Sequence, residues 1–332
     1  MSAELTPALS DLVDPVPGYA LRTAATLRLA DLVAAGLDTA TTLAASAHAD
    51  ADAIGRLMRY LCSRGIFVLL PSGRYALTDF SVLLLDGDPS GLRKTLDSDS
   101  YGGRFDRAVS EMVDVVRSGE PAYPKLYGKT VYSDLEVLPG LGEMFTDVRA
   151  QHSARFAAEL TSKINLAGCR RIADLGGGTG SVLLAVLEHN PTMTGALIDL
   201  PYIEARARGA LQESAAGNRC DFIAASFFDP LPAADVYLLC NVLYNWNDAD
   251  ASRILARCAE TKPGARVIVI ERLITQDGDL ELAAAQDLRL LAICGGKQRS
   301  APEFIELAGA QGLILSSIVD TESGLSLLHF AT

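Results

Sequence analysis

The sequence has few of the residues that build metal or redox centres. Its six cysteines stand at least 18 positions apart, so it contains no CxxC pair. The four histidines, His48, His152, His189 and His329, form neither an HxxxH nor an HExxH motif. We therefore expect no protein-built metal site and interpret the thiols as reduced and mostly buried.

Basic charge and long apolar runs are also scarce. The chain has 29 Lys and Arg residues against 41 Asp and Glu residues, a formal net charge of -12, which repels nucleic-acid phosphates and anionic lipid. No uncharged apolar run reaches the roughly 18 residues that a membrane helix needs, and residues 1–10 lack the cationic-then-apolar order of a signal peptide. These absences predict a cytoplasmic protein without a nucleic-acid or membrane partner.

The length of 332 residues suggests two domains, and the first third has its own pattern. Helical spacing of apolar residues predicts helices over 19–35 and 41–47, and a third that Asp50 caps and Gly65 follows. A hairpin over 66–78 comes next. This order is typical of a winged helix, which occurs in DNA readers and in dimerisation modules. Because the outer face of the third helix offers only Arg56 and Arg59, the sequence favours dimerisation.

A longer apolar stripe over 141–164 predicts a helix that bridges the domains. Most of the stripe is interpreted as core, although Met144 and Phe145 are candidates to line a ligand pocket. After Gly168 the pattern becomes apolar strands, over 171–174, 194–199, 235–240 and 265–271, alternating with helices such as 181–188. This predicts an α/β domain with a parallel sheet, whose ligands bind beyond the carboxyl ends of the strands.

A glycine loop, DLGGGTG over 174–180, joins the first strand of this domain to a helix. Its glycines allow a tight turn and close approach of the backbone to a ligand. The dinucleotide pattern GxGxxG fails because position 181 is serine, which disfavours NAD. Asp199 ends the next predicted strand, where a carboxylate can accept hydrogen bonds from both ribose hydroxyls. Loop and carboxylate together predict an adenosyl-type ligand.

Several motifs resemble class I S-adenosyl-L-methionine-dependent O-methyltransferases that act on small molecules, in the branch shared by plant phenolic and actinobacterial polyketide-tailoring enzymes. They are DLGGGTG (174–180), IDLP (198–201), SFFDPLP (226–232), NVLYNWND (241–248) and DLRLLAICGGKQRS (287–300). The resemblance implies a homodimer with a winged-helix dimerisation domain (1–95), a helical linker and substrate-pocket region (96–165) and a Rossmann-like catalytic domain (166–332). It also implies an aromatic acceptor, such as a hydroxynaphthoic acid.

The same resemblance implies a set of residues that bind S-adenosylmethionine. They lie on the bridging helix, in the glycine loop and at the ends of the later strands: Ser153, Asp174, Gly176, Gly177, Gly178, Asp199, Leu200, Ser226, Phe227, Cys240 and Asn241. The family usually has aspartate at 226 and lysine at 240, so contacts to adenine are expected to be weaker here. The residues expected around the acceptor are Met144, Phe145, Tyr244, Leu291 and Cys294.

The chain departs from the family where the catalytic base is expected. Tyr244 stands in place of a histidine, Asn245 in place of an aspartate, and the two supporting glutamates correspond to Glu271 and Gln298. Tyrosine, with an ordinary pKa of about 10, is a poor base near neutral pH. We therefore expect methyl transfer chiefly by proximity, with Tyr244, Asn245 and Glu271 as the catalytic residues and Tyr244 either orienting the acceptor or acting as the base.

The expected activity is methylation of a phenolic hydroxyl, with S-adenosylhomocysteine as the second product. Two alternatives remain at this stage: the same scaffold using the sulfonium charge for decarboxylation, hydroxylation or a pericyclic step, and a winged-helix regulator that senses a small molecule. Methylation at carbon or nitrogen is also open. Trp246 is interpreted as a packing residue, and Arg289, Lys297 and Arg299 as surface charges rather than partners of a substrate carboxylate.

Overall fold

The structure is a computed structural model that describes residues 13–275 and 280–331. The chain divides into two compact units, Met1–Arg104 and Phe105–Thr332. Within the described residues, no helix combines the length and the apolar character needed to cross a membrane.

The amino-terminal unit consists mainly of short helices around an apolar core that includes Leu29, Leu43, Met58 and Phe67. Its elements are α1 (Val16–Thr26), α2 (Leu29–Ala34), α3 (Ala40–Ser46), α4 (Ala51–Ser63), β1 (Phe67–Leu69), β2 (Tyr75–Leu77), α5 (Asp79–Val82) and α6 (Leu92–Leu96), and α7 (Tyr101–Ser110) begins here. The strands β1 and β2 pair antiparallel, which gives the predicted hairpin.

The predicted bounds of one helix in this unit were wrong. The stretch 19–35 forms two helices rather than one, because Arg28 adopts a left-handed conformation with a φ of 54°. The end of α1 is held from elsewhere in the unit: Arg93 donates to the Ala25 carbonyl, and the Ser98 N–H donates to the Thr26 hydroxyl. The bond from Arg93 satisfies a carbonyl near the end of α1, where backbone carbonyls lack intrahelical partners, and the bond to Thr26 ties the same helix end to residue 98.

The second unit contains a sheet with helices on both faces, as predicted. Its elements after α7 are α8 (Met112–Ser118), α9 (Ala122–Tyr127), α10 (Val131–Val137), α11 (Pro139–Lys163), β3 (Arg171–Leu175), α12 (Ser181–His189), β4 (Thr194–Asp199), α13 (Glu204–Glu213), β5 (Cys220–Ala224), β6 (Val236–Cys240), α14 (Asp248–Thr261), β7 (Arg266–Glu271), α15 (Leu280–Cys294), α16 (Ala301–Gly309), β8 (Ile314–Asp320) and β9 (Ser326–Ala331).

The order of strands in the sheet is β5-β4-β3-β6-β7-β9-β8. The first five are parallel, whereas β9 runs antiparallel to both of its neighbours. One face buries Leu183 and Leu187 of α12, and the other buries Leu255 of α14 and Phe304 of α16. The strand order reverses between β3 and β6, so a crevice opens at their carboxyl ends, which is where ligands bind in such sheets.

Candidate active site

A cavity of about 410 Å³ lies at the carboxyl ends of β3, β4 and β6, within the second unit. We call it the ligand cavity. Its walls come from the glycine loop, from the segments that follow β4, β5 and β6, and from helices α10, α11 and α15. The volume is in the range of small-molecule sites, and the position is the one predicted from the strand order.

The glycine loop requires glycine for two different reasons. Gly176, Gly178 and Gly180 have φ values of 68°, 61° and 84°, which side-chain-bearing residues rarely adopt. Gly177 has no such conformation, but a Cβ atom there would lie 2.4 Å from Asp174 Oδ2 and 2.5 Å from Leu197 Cδ1. The loop therefore brings backbone N–H groups and the start of α12 to the wall of the cavity.

Asp199 fixes this loop from the neighbouring strand. Its Oδ2 accepts the Gly178 N–H at 2.7 Å, and its Oδ1 accepts the Leu200 N–H at 2.7 Å. Burial raises the pKa of Asp199, against the effect of these two bonds. A carboxylate offers about four lone-pair positions, so capacity remains to accept hydrogen bonds from ribose hydroxyls.

Asp174, at the end of β3, is a buried acid with an unsatisfied oxygen. It is 1% exposed, and among the described residues its Oδ1 has no hydrogen-bond partner. Burial, and then the nearby charge of Asp199, raise its pKa to about 7. An orphaned carboxylate oxygen in a cavity wall needs a donor or a cation from a ligand. The positive charges of S-adenosylmethionine fit this requirement.

All eleven residues predicted to bind the cofactor line this one cavity. Aromatic side chains cluster around Trp246, close to the predicted cofactor residue Phe227. Trp246 packs edge-to-face on Phe227, with ring centroids 5.7 Å apart, and on Phe228 at 4.9 Å, and it stacks on Tyr132 at 5.7 Å. Trp246, interpreted as a packing residue, thus packs and also lines the cavity.

Tyr244 and Asn245 lie on a short 3-10 turn after β6, and both line the ligand cavity. The Tyr244 N–H donates to Glu271 Oε1 at 3.0 Å, and its carbonyl accepts the Lys297 N–H at 2.9 Å. The Asn245 amide nitrogen donates to the carbonyls of Asn241 and Val242, at 3.4 and 3.2 Å. The Asn245 oxygen is therefore the group of this side chain that can accept a hydrogen bond from a ligand.

The titration behaviour of this turn argues against a tyrosine base. Burial raises the pKa of Tyr244, although the positive charge of Arg149 opposes the shift, so the hydroxyl stays protonated and can donate a hydrogen bond. Glu271 is 1% exposed and burial raises its pKa to about 7. Glu271 holds the Tyr244 backbone but is not among the residues lining the cavity. Gln298 is buried, does not line it either, and donates to the Arg272 carbonyl.

The predicted acceptor residues divide into two groups. Phe145, Tyr244 and Cys294 line the cavity, whereas Met144 and Leu291 do not line it. Met144 and Phe145 are adjacent on α11, and neighbouring helical residues point about 100° apart. The helix lines the cavity with Phe145 and Thr146, so Met144, on the other side of Phe145, lies outside the lining.

Sequence reasoning missed Arg149, Tyr132 and Tyr202, which also line the cavity. Arg149 lies on α11 with its Cζ 5.9 Å from the centroid of the Tyr244 ring. Phe145, Arg149 and Ser153 follow one another at intervals of four residues and therefore share one helical face. Since Phe145 and Ser153 were both assigned to the pocket, this spacing could have identified Arg149.

The expectation that Arg299 is a surface charge was also wrong. Arg299 is 0% exposed and pairs with Asp248 at 2.8 Å. Its guanidinium donates to the carbonyls of Leu243 and Trp246, at 3.1 and 2.9 Å, on either side of Tyr244. Lys297 pairs with Asp248 at the surface, and Arg289 is exposed as expected.

Comparisons with known proteins agree with the geometry. Residues 109–314 match the O-methyltransferase domain, and residues 18–87 match the O-methyltransferase dimerisation domain. The chain is 39% identical over 308 residues to 2,7-dihydroxy-5-methyl-1-naphthoate 7-O-methyltransferase of Streptomyces carzinostaticus, covering 92% of this chain and 91% of that one. It is 35% identical over 331 residues to aclacinomycin 10-hydroxylase of Streptomyces purpurascens, covering 97% and 86% respectively.

Solved structures give the same result. An O-methyltransferase from neocarzinostatin biosynthesis, crystallised with S-adenosylmethionine and 2-hydroxy-5-methyl naphthoic acid, matches with a TM-score of 0.90 at 35% identity, covering 99% of each chain. The predicted family and the Rossmann-like fold are confirmed. With both domain families matched in the predicted order, the chain belongs to the S-adenosyl-L-methionine-dependent O-methyltransferases.

Proposed function

We propose that this enzyme transfers a methyl group from S-adenosylmethionine to a phenolic hydroxyl of an aromatic, polyketide-type natural product. The observation that carries the proposal is a single cavity lined on one part by acidic residues and the glycine loop and on another part by aromatic side chains. The glycine loop, Asp174 and Asp199 suit a cationic nucleoside. Phe145, Tyr132 and Tyr244 suit a flat aromatic ring. The relatives named above that act on naphthoate support the same class of acceptor.

The residues of the ligand cavity act mainly by orientation. When bound, S-adenosylmethionine supplies an electrophilic methyl group on a sulfonium. The Asn245 oxygen accepts the acceptor's O–H and the protonated Tyr244 hydroxyl donates to a neighbouring oxygen, which together fix the attacking lone pair. Alignment of this kind lowers a barrier by about 7 to 11 kcal/mol. Glu271, Lys297 and Arg299 keep the Tyr244–Asn245 backbone in place from outside the cavity.

The test is incubation of the purified chain with methyl-labelled S-adenosylmethionine and a panel of hydroxylated aromatic acids and quinones. We expect label in the product, a mass increase of about 14 Da and one equivalent of S-adenosylhomocysteine, as the chemistry of the transferred group requires. Tyr244→Phe should keep the fold and lose less than about a thousandfold in turnover. A larger loss would show that the hydroxyl is the base rather than an orienting group.

A second candidate function is hydroxylation on the same scaffold, which the similarity to a 10-hydroxylase favours. The product distinguishes the two. Hydroxylation leaves no label in the product and forms no S-adenosylhomocysteine, whereas methylation consumes the methyl donor one for one. The same incubation, analysed by mass spectrometry, decides between them.

A homodimer and a cytoplasmic location are part of the proposal. The match of residues 18–87 to a dimerisation domain supports self-association, and sedimentation of the full chain at micromolar concentration would detect a stable monomer if this is wrong. All six cysteines are free thiols, which agrees with a reducing compartment.

A further inference from the structure

We propose that Arg149 stabilises the acceptor's reacting oxygen as a phenolate, so that the acceptor ionises inside the ligand cavity without a protein base. This inference rests on the proposed O-methylation. Arg149 would promote the ionisation of the phenol, the step for which the family is expected to use a histidine base. Arg149 would then be a catalytic residue, because its guanidinium contacts the reacting oxygen.

Arg149 sits at the junction between the two parts of the cavity. One helical turn along α11 in one direction is Ser153, among the residues predicted to hold the cofactor, and one turn in the other direction is Phe145, on the acceptor side. Across the cavity, the Tyr244 ring centroid is 5.9 Å from Arg149 Cζ. A guanidinium here faces the place where methyl donor and methyl acceptor meet.

Nothing in the described part of the chain neutralises this charge. Arg149 forms no ion pair with a carboxylate there. The acidic residues nearest to it on α11, Glu143 and Asp147, both pair with Arg206. The titratable groups that face Arg149 are Tyr244 from the turn after β6, Tyr132 from α10 and Cys240 from β6. These groups are protonated near neutral pH, so a half-buried guanidinium lacks an anion, which is a costly arrangement unless a ligand brings one.

The reacting oxygen is a better candidate for that anion than a remote carboxylate. A carboxylate anchor would hold the acceptor at a distance from the methyl donor, whereas Arg149 stands beside the turn that carries Tyr244 and Asn245. Among the described residues that line the cavity, none on the acceptor side is a base suited to a phenol. Tyr244 stays protonated and Glu136 is exposed, whereas Asp174 and Asp199 belong to the part assigned to the cofactor. Glu271 does not line the cavity.

The phenol loses its proton to water, and the guanidinium stabilises the resulting oxyanion. A lone pair of that oxygen then forms the O–CH₃ bond while the S–CH₃ bond breaks, and the electron pair of the broken bond stays on sulfur as a thioether. A positive charge within about 4 to 6 Å lowers the pKa of an acid by about 1 to 3 units. At a pH below the phenol's own pKa, this raises the ionised fraction by roughly 10- to 1000-fold.

The first experiment does not depend on turnover. A hydroxynaphthoquinone, whose phenol and phenolate absorb at different wavelengths, is bound to the full chain in the presence of S-adenosylhomocysteine, and its ionisation is followed by absorbance against pH. We expect the bound chromophore to ionise at least one pH unit below the free one. Arg149→Met should remove this shift and Arg149→Lys should retain most of it. Equal shifts in wild type and Arg149→Met would overturn the proposal.

The second experiment measures kcat/KM against pH with a set of phenolic acceptors of graded acidity. Arg149→Met should lose at least tenfold near pH 7, and the loss should shrink at high pH and with the more acidic acceptors. A loss that is equal at every pH and for every acceptor would indicate a packing role and refute the proposal. A loss confined to acceptors that carry a carboxylate would show a carboxylate anchor instead. If wild type lowers the chromophore's pKa but transfers no methyl group, the proposed function fails while the assignment of Arg149 stands.

Discussion

Asp174 provides the sharpest quantitative prediction. Its carboxyl is almost wholly buried and has an oxygen without a hydrogen-bond partner within the described ranges, and its pKa is raised to about 7 by burial and by Asp199. Between pH 6 and 7.5 the cavity therefore changes from mostly uncharged at this position to mostly anionic. Because S-adenosylmethionine carries positive charge, binding should favour the ionised form.

The magnitude follows from linkage. If only the ionised carboxyl binds the cofactor, a pKa of about 7 predicts about eightfold tighter binding at pH 7.5 than at pH 6.0. Asp174→Asn removes the titration without a large change in volume, so its affinity should lose this pH dependence. The cofactor's own amino group titrates equally in both experiments and cancels in the comparison of the two proteins.

The protein carries its own fluorescent probe for this assay. Trp246 is the single tryptophan of the chain and lines the ligand cavity, so its fluorescence should report cofactor binding directly. Titrations of wild type and Asp174→Asn at the two pH values give four dissociation constants. An identical pH dependence in the two proteins would refute the assignment of the titrating group to Asp174.

Two further predictions concern the glycine loop and Glu271, which holds the backbone of Tyr244. Gly177→Ala places a Cβ atom 2.4 Å from Asp174 Oδ2, so it should destabilise the fold by about 1 to 3 kcal/mol and weaken cofactor binding in the same fluorescence titration. Gly209→Ala, with open space around it, is the control, and equal affinities would contradict the steric argument. The pKa of Glu271, about 7 against an ordinary 4.5, means that its stabilising contribution is complete below pH 4.5 and is lost as pH rises through 7. Urea unfolding should therefore show wild type losing about 2 to 3 kcal/mol relative to Glu271→Gln between pH 5 and pH 8, and parallel pH profiles would contradict it.

Features encoded in adjacent residues could be predicted from the sequence. The glycine loop, Asp199 at the end of β4 and the parallel strands depend on local turn chemistry and on continuous apolar runs. The observed strand β4, Thr194–Asp199, has the predicted bounds. The strands β5, β8 and β9 were not predicted, and β5 and β8 are the edges of the sheet. The residues of β8 are mostly exposed or half-buried, so they lack the continuous apolar run of a central strand.

Features that depend on distant partners could not be predicted. The break between α1 and α2 is held by Arg93, 68 residues after the carbonyl that it contacts. Arg299 is buried because Asp248, 51 residues earlier, neutralises it. Met144 and Phe145 differ only in helical phase, and a stripe that is apolar on two sides does not fix which side faces a cavity. The place of Arg149 was open to prediction from its spacing, but polar residues are by default assigned to solvent.

Three residues that hold the turn of Tyr244 and Asn245 do not line the ligand cavity. Glu271 and Lys297 hold the backbone of Tyr244 itself, and Arg299 holds the carbonyls of Leu243 and Trp246 on either side. The backbone at position 244 is thereby held independently of the Tyr244 side chain, whereas the Asn245 side chain itself bonds to the carbonyls of Asn241 and Val242. A substitution of the Tyr244 side chain can therefore change the chemistry offered to a bound ligand while the backbone contacts of the turn stay in place.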